Sequence, residues 1–169
     1  DNHAITNRPD LFSHMGVARE CVALKLARWK KKKAEKKPVF SPASLPFSCH
    51  NEVPSLVPVY RACMVDIESV GQSPEWMKRR LLSVGVRWLN LPIDITNYVM
   101  LETGMPMHAF DSADIRGDIS IREAREGETL VTLDAKERTL PRGALVMSDD
   151  EGIFDLLGIM GGLRSSAKD

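Results

Sequence analysis

Along the 169 residues of this chain the spacing of apolar positions changes from a helical to a strand-like rhythm. Residues 1–10 carry no apolar period and read as an extended lead-in. Ser13 then offers a capping hydroxyl. Met15, Ala18, Cys21, Val22, Leu26 and Trp29 approximate one stripe of a helix running to about Lys33. Pro38, Pro42 and Pro46 forbid its continuation, so residues 34–47 read as a linker. Val59, Tyr60, Cys63, Val65 and Ile67 favour a strand from Val57 to about Ser69. Ser73-Pro74-Glu75-Trp76 combines a capping hydroxyl, Pro at the first helical position and an acid in the first turn. The helix it starts should run to Val84 and stop at Gly85. A shorter helix is expected over about Ile93–Leu101, ending at Gly104 with Pro106 close behind.

Beyond Asp118 the period falls to two. Segments beginning at Ile119, Leu130, Ala144 and Ile153 read as strands separated by polar or Gly-bearing turns. Asp134-Ala135 reads as a hairpin turn of middling quality, because Ala tolerates a positive φ poorly. No internal repeat is present. The pattern predicts an α+β fold, with an N-terminal helix and basic linker over 1–47. A β-rich, layered domain with two short helices follows over 48–169.

Composition narrows the class. With 43% hydrophobic residues the chain can bury a core. Lys and Arg number 23, as do Asp and Glu, so there is no general attraction to nucleic acid. The charge is nonetheless segregated: residues 1–40 hold 10 basic against 4 acidic side chains, leaving 13 against 19 in the rest. The Lys30–Lys37 run is either a solvated helix end or a phosphate contact. Cys21, Cys49 and Cys63 form no CxxC pair and read as reduced thiols of a cytoplasmic protein. His3, His14, His50 and His108 are scattered singly, so no metal site is expected. No apolar run reaches membrane-spanning length and no signal peptide is visible, so no membrane partner is expected. The chain opens on Asp1 rather than methionine and stops at Ser-Ala-Lys-Asp169, as a segment of a longer protein would.

One stretch could carry chemistry, Asp94-Ile-Thr-Asn-Tyr-Val-Met-Leu-Glu-Thr-Gly-Met-Pro-Met-His-Ala-Phe-Asp111. It places Thr96, Asn97 and His108 around a Gly104/Pro106 turn, where a hydroxyl, an amide and an imidazole could orient a water or a ribose hydroxyl beside an ester. On spacing alone, helix capping by Thr96 and Asn97 and a structural His108 are the favoured account. No GxSxG elbow or Ser/His/Asp set is readable. The glycines of Leu156-Leu-Gly-Ile-Met-Gly-Gly162 fit neither a dinucleotide fingerprint nor a phosphate loop. They serve either close backbone approach to a ligand or bends in a strand.

Eight strings in one order carry a resemblance: Thr6-Asn-Arg-Pro-Asp-Leu, Ser13-His-Met-Gly-Val-Ala-Arg-Glu20, Ser73-Pro-Glu-Trp-Met-Lys-Arg-Arg-Leu81, Asp94-Ile-Thr-Asn-Tyr-Val-Met-Leu-Glu102, Pro106-Met-His-Ala-Phe-Asp111, Arg125-Glu-Gly-Glu128, Thr132-Leu-Asp134 and Gly158-Ile-Met-Gly-Gly162. Together they resemble the beta subunit of bacterial phenylalanyl-tRNA synthetase, over nearly the whole chain. The resemblance implies the tRNA-editing domain and its helical lead-in, within a two-alpha, two-beta enzyme. The alpha subunit would carry charging with ATP and Mg²⁺, with no cofactor in this segment. The beta subunit would hydrolyse tyrosine wrongly esterified to the phenylalanine tRNA, without DNA. His108 would be the editing-site histidine, with Thr96 and Asn97 the pocket's hydroxyl–amide pair. Gly158, Met107 and Ala109 would contact the substrate.

The chain departs from the family pattern in lacking a Pro between Thr6 and Asn7 and in reading Asn90-Leu-Pro-Ile, which places Leu91 and Pro92 at the expected pocket wall. The glutamate that would recognise the tyrosine hydroxyl is expected beyond residue 169, which leaves the domain truncated at its C-terminus. A free-standing trans-editing hydrolase and a non-catalytic module that packs subunits and holds RNA are the rival readings.

Overall fold

The computed structural model describes residues 5–30 and 45–167. The Lys31–Lys37 part of the basic run and most of the expected linker lie outside the described residues. Two compact units emerge, each discontinuous in sequence. One comprises residues 5–30 and 70–107, the other 45–69 and 108–167.

The first unit is helical. A 3-10 turn over Pro9–Phe12 leads into α1, His14–Ala23. Ser13 caps α1 as expected: its hydroxyl accepts from the Gly16 amide at 3.0 Å and donates to the Asp10 carbonyl at 2.7 Å. The helix stops ten residues short of the expected Lys33. Lys25 turns left-handed at φ 60, Leu26 N–H reaches back to Cys21 O and Lys25 N–H to Val22 O, which closes the end as a Schellman motif. Leu26 and Trp29, counted as stripe residues, are exposed instead. The same closure ends α2, Glu75–Ser83, where Gly85 takes φ 80, Val86 N–H reaches Leu81 O and Gly85 N–H reaches Leu82 O.

The start of α2 differs from expectation. Pro74 is the cap residue, and the Ser73 hydroxyl is drawn away to Asp94 at 2.5 Å, because a buried carboxylate is the stronger acceptor. Met77 and Leu81 supply the buried face of α2, and Lys78 folds its ammonium over Trp88 at 4.3 Å while donating to Gln72 at 2.9 Å. Then comes α3, Leu91–Thr103, longer than the periodicity implied and closed by Gly104 at φ 80.

The second unit is a mixed sheet in the order β1-β2-β5-β6-β7, with β3 and β4 forming a separate pair. Its strands are β1 Cys49–Asn51, β2 Ile119–Glu123, β3 Thr129–Val131, β4 Glu137–Thr139, β5 Leu145–Asp149, β6 Gly152–Leu156 and β7 Met160–Gly161. Among the described residues only the β1–β2 pairing is parallel. Alternation in β2 buries Ile119 and Ile121 on one face, where Met147 and Phe154 complete a core. Ala124, Leu130, Leu140 and Val146 form a second cluster.

The strand expected across Val57–Ser69 does not form. Val59, Val65 and Ile67 stay exposed, and among the described residues no neighbouring ladder takes the segment up. The Arg125–Glu128 string turns out to be a tie. Glu128 receives both Arg122 guanidinium nitrogens at 2.9 Å and the Arg125 amide at 2.7 Å, and these bonds, Arg122 foremost, hold its carboxyl down to about 2. Ala135 does adopt the left-handed conformation, at φ 59. Ala135→Gly is therefore expected to stabilise the protein by about 0.5–1 kcal/mol, once glycine's own entropy cost is set against the relieved strain, read as a higher urea midpoint. The α+β class holds, with helices in one unit and the sheet in the other.

Candidate functional site

In the helical unit, Asn90 accepts the Ile93 amide at 3.2 Å and Pro92 occupies the first turn, so Asn90-Leu-Pro-Ile is a helix start. Asp94 is wholly buried, accepting the Ser73 hydroxyl and the Leu89 amide, the latter at 2.8 Å. Two residues on, the Thr96 hydroxyl donates to the Ile93 carbonyl at 2.7 Å. Its proton is thereby committed to the helix, and its free lone pair can accept. Thr96 and Asn97 are both half-buried. As consecutive helix positions they diverge by about 100°. A hollow of about 340 Å³ in this unit lies beside them in sequence, lined by His14, Arg80, Tyr98 and Glu102 among others.

Met107 is half exposed at the last position of that unit, and His108 opens the second segment of the sheet-bearing one. Phe110 is paired with Ser166 in an isolated antiparallel bridge, and the next residue, Asp111, donates its amide to Ser165 O at 3.1 Å. Ala109 is half-buried between them. This tether presents the His108 ring against Phe110, centroids 4.5 Å apart and planes tilted by 42°. Phe110 in turn meets Phe154 edge-on at 5.3 Å.

The other side of the imidazole is Gly161. A Cβ there would stand 2.4 Å from His108 Cε1 and 2.6 Å from Nε2, which no side chain allows. His108 stays solvent-accessible, yet its apolar surroundings lower its pKa below the ordinary histidine value through burial. Burial therefore favours the neutral form of the ring.

The second segment of glycines is anchored on both sides. Gly162 N–H donates to Phe154 O at 2.8 Å, and Leu133 N–H donates to Gly161 O at 3.1 Å. Gly158 turns the chain at φ 74, with nothing within 4 Å of where a Cβ would stand. Thus the structure brings His108 to Gly161, not to Gly158. Thr96 and Asn97 belong to the helical unit, and His108, Ala109 and Gly158 to the sheet-bearing one.

Two residues escaped the sequence reading. Gly161 shapes the histidine's seat. Asp155, on β6, is 5% exposed, and burial raises its carboxyl to about 7. Its signal was available: one carboxylate inside the apolar run Ile153-Phe-Asp-Leu-Leu157 is out of place in a buried strand. Near it on the sheet, Tyr60 directs its hydroxyl to the Met147 sulfur at 3.5 Å, and burial lifts that phenol to about 12. A hollow of about 390 Å³ lies beside Tyr60, lined also by Cys49, Asn51 and Arg61. Burial raises the Cys49 thiol, so it is not a ready nucleophile. Chemically, the sheet-bearing unit presents a neutral, accessible imidazole on a bare backbone, suited to orienting water or a hydroxyl.

Comparison with known proteins gives a family model, the B3/4 domain, matching residues 57–169. The phenylalanine–tRNA ligase beta subunit of Nitrobacter winogradskyi is 40% identical over 160 residues, covering 92% of this chain and 19% of that protein. Its namesake in Carboxydothermus hydrogenoformans is 40% identical over 164 residues, 96% of this chain and 20% of that one. The chain thus spans about a fifth of the length of the relatives it matches. A solved N-terminal fragment of the phenylalanyl-tRNA synthetase beta subunit from Pyrococcus horikoshii aligns weakly, with TM-score 0.46 and 19% identity, over 100% of this chain and 51% of that one. The resemblance carried by the eight strings is borne out by the bacterial relatives.

Proposed function

The chain belongs to the B3/4 domain family, and from that premise we propose that it is the editing segment of a phenylalanine–tRNA ligase beta subunit, hydrolysing tyrosine esterified to the phenylalanine tRNA. The observation that carries this reading is the His108 imidazole, pinned between Phe110 and the bare Gly161 backbone while still open to solvent. A neutral ring can accept from a water or a ribose hydroxyl, which a protonated one cannot. Hydrolysis of an activated ester needs a placed water and polarisation of the carbonyl, with no covalent intermediate. Within the sheet-bearing unit that holds His108, Ala109 and Gly158 are the proposed neighbours of the ester.

The task suits a second site. One hydroxyl separates tyrosine from phenylalanine, and a pocket that hydrogen-bonds it discriminates by up to about 10⁴–10⁵. Charging with ATP and Mg²⁺ is assigned to the alpha subunit of a cytoplasmic heterotetramer. Among the described residues no three of His, Cys, Asp and Glu are grouped as metal ligands would be.

His108→Ala in the full alpha–beta enzyme is expected to slow deacylation of tyrosyl-tRNA by about a hundredfold, the cost of a misplaced reactant, while phenylalanine charging stays intact. In the unaltered enzyme the deacylation rate should fall with acid only below the ordinary histidine pKa, because His108 is held neutral there. Deacylation unchanged by the substitution would favour a packing and RNA-holding module instead.

A further inference from the structure

Asp155 stands opposite Gly161 across β6 and β7. The Gly162 amide donates to Phe154 O at 2.8 Å beside that pair, the pattern of a non-hydrogen-bonded position. Such pairs hold their Cα atoms about 4.5 Å apart and direct both side chains to one face. Gly161 contributes no side chain to that face, and the edge of His108 occupies the place of its Cβ. Asp155 and His108 therefore share one surface of the sheet across a glycine.

On its other flank Asp155 is paired with Met147, whose sulfur receives the Tyr60 hydroxyl. The titratable groups around it are thus His108, Tyr60 and, beyond Tyr60, Cys49. Burial disfavours the charged form of each. None supplies a positive charge. Among the described residues nothing hydrogen-bonds or ion-pairs with the Asp155 carboxyl, and burial alone perturbs it. No enclosed side-chain oxygen among the described residues lacks a partner, so the unpartnered Asp155 oxygens must each touch accessible space. A nearly buried carboxylate with an opening and no counter-charge lacks the cation that such groups ordinarily require.

An amino acid esterified to RNA brings that cation, since its α-amino group is free and protonated. We propose that Asp155 is the seat of the α-ammonium group of the aminoacyl ester, placing that ester beside His108. The proposal rests on the ester-hydrolysis reading and adds a specificity contact to it. No bond is made or broken at Asp155, which acts by binding and orientation.

The test compares tyrosyl-tRNA with N-acetyl-tyrosyl-tRNA in the full alpha–beta enzyme, together with binding of L-tyrosinamide and its desamino counterpart. Acetylation is expected to slow deacylation at least tenfold, and the desamino amide to bind at least tenfold more weakly. Asp155→Asn, close to isosteric, should abolish both differences, while unchanged phenylalanine charging reports that the variant is folded. Discrimination retained in Asp155→Asn, or absent from the unaltered enzyme, overturns the proposal. So does an Asp155→Asn variant that loses tyrosyl-over-phenylalanyl selectivity while keeping amine selectivity, which would make the carboxyl a partner of the phenol. If no tyrosyl-tRNA is deacylated but tyrosinamide binding depends on both the amine and Asp155, the seat stands and the hydrolytic reading alone fails.

Discussion

Arg164→Ala is expected to destabilise the protein by about 3–5 kcal/mol, the cost of stranding a buried charge. The charge is Asp149, whose side chain is 0% exposed and receives Arg164 at 2.7 and 3.0 Å. The Arg116 and Glu151 amides complete its shell at 2.9 and 3.0 Å. Burial alone would raise this carboxyl, but Arg164 and the backbone donors overcome it and hold it below the ordinary carboxylate value. A depressed folded pKa contributes stability that is present above the ordinary carboxyl pKa and lost as pH falls through the folded one. Urea unfolding at pH 7 should show the full loss for Arg164→Ala, with the gap to the unaltered protein narrowing in acid. Arg164→Lys should recover only part of it, because a lysine cannot make the paired bonds or lie over Phe154, which the guanidinium does at 5.6 Å. A loss below 1 kcal/mol would mean that Asp149 finds water once the arginine is gone.

Asp155 predicts the opposite sign. Its folded pKa is raised to about 7, so the native state holds the proton more tightly than the unfolded chain. Stability should therefore fall as pH climbs from about 4 to about 7, and the full cost should persist above that, on the order of 4 kcal/mol. Asp155→Asn removes the titration. The variant should unfold at clearly higher urea than the unaltered protein at pH 8, and at a similar midpoint near pH 4. Equal midpoints at pH 8 would show that the carboxylate is well solvated or paired in the native state, contrary to its lack of any partner among the described residues. Two acids on neighbouring strands thus pull the pH profile in contrary directions, and the difference between them is an arginine and two backbone amides.

Several elements were legible because their causes are local. The Ser13 cap, Gly85 and Gly104 as terminators, and the alternation of Ile119 with Ile121 each depend on atoms a few residues apart. The misses had other causes. Lys25 ended α1 without a glycine to announce it, and Ser73 preferred Asp94, 21 residues away, over its own helix. Val59, Val65 and Ile67 carry strand-forming side chains, but a strand needs a neighbour, and among the described residues none is supplied.

The candidate site divides the same way. His108, Thr96 and Asn97 stood out in the sequence because uncommon polar groups cluster around one turn. The seat of the imidazole could not be read there, since Gly161 lies 53 residues beyond His108 and looks like any glycine in a flexible run. What the sequence determined by itself is where helices begin, which strand faces are apolar, and which family the chain resembles, all short-range or motif-borne properties. Tertiary structure alone decided that Gly161 rather than Gly158 meets His108, that Asp155 is buried without a counter-charge, and that Asp149 has one. Those outcomes depend on which strands pair and in what register, and pairing between distant residues is set by the packing of the whole unit rather than by any local preference.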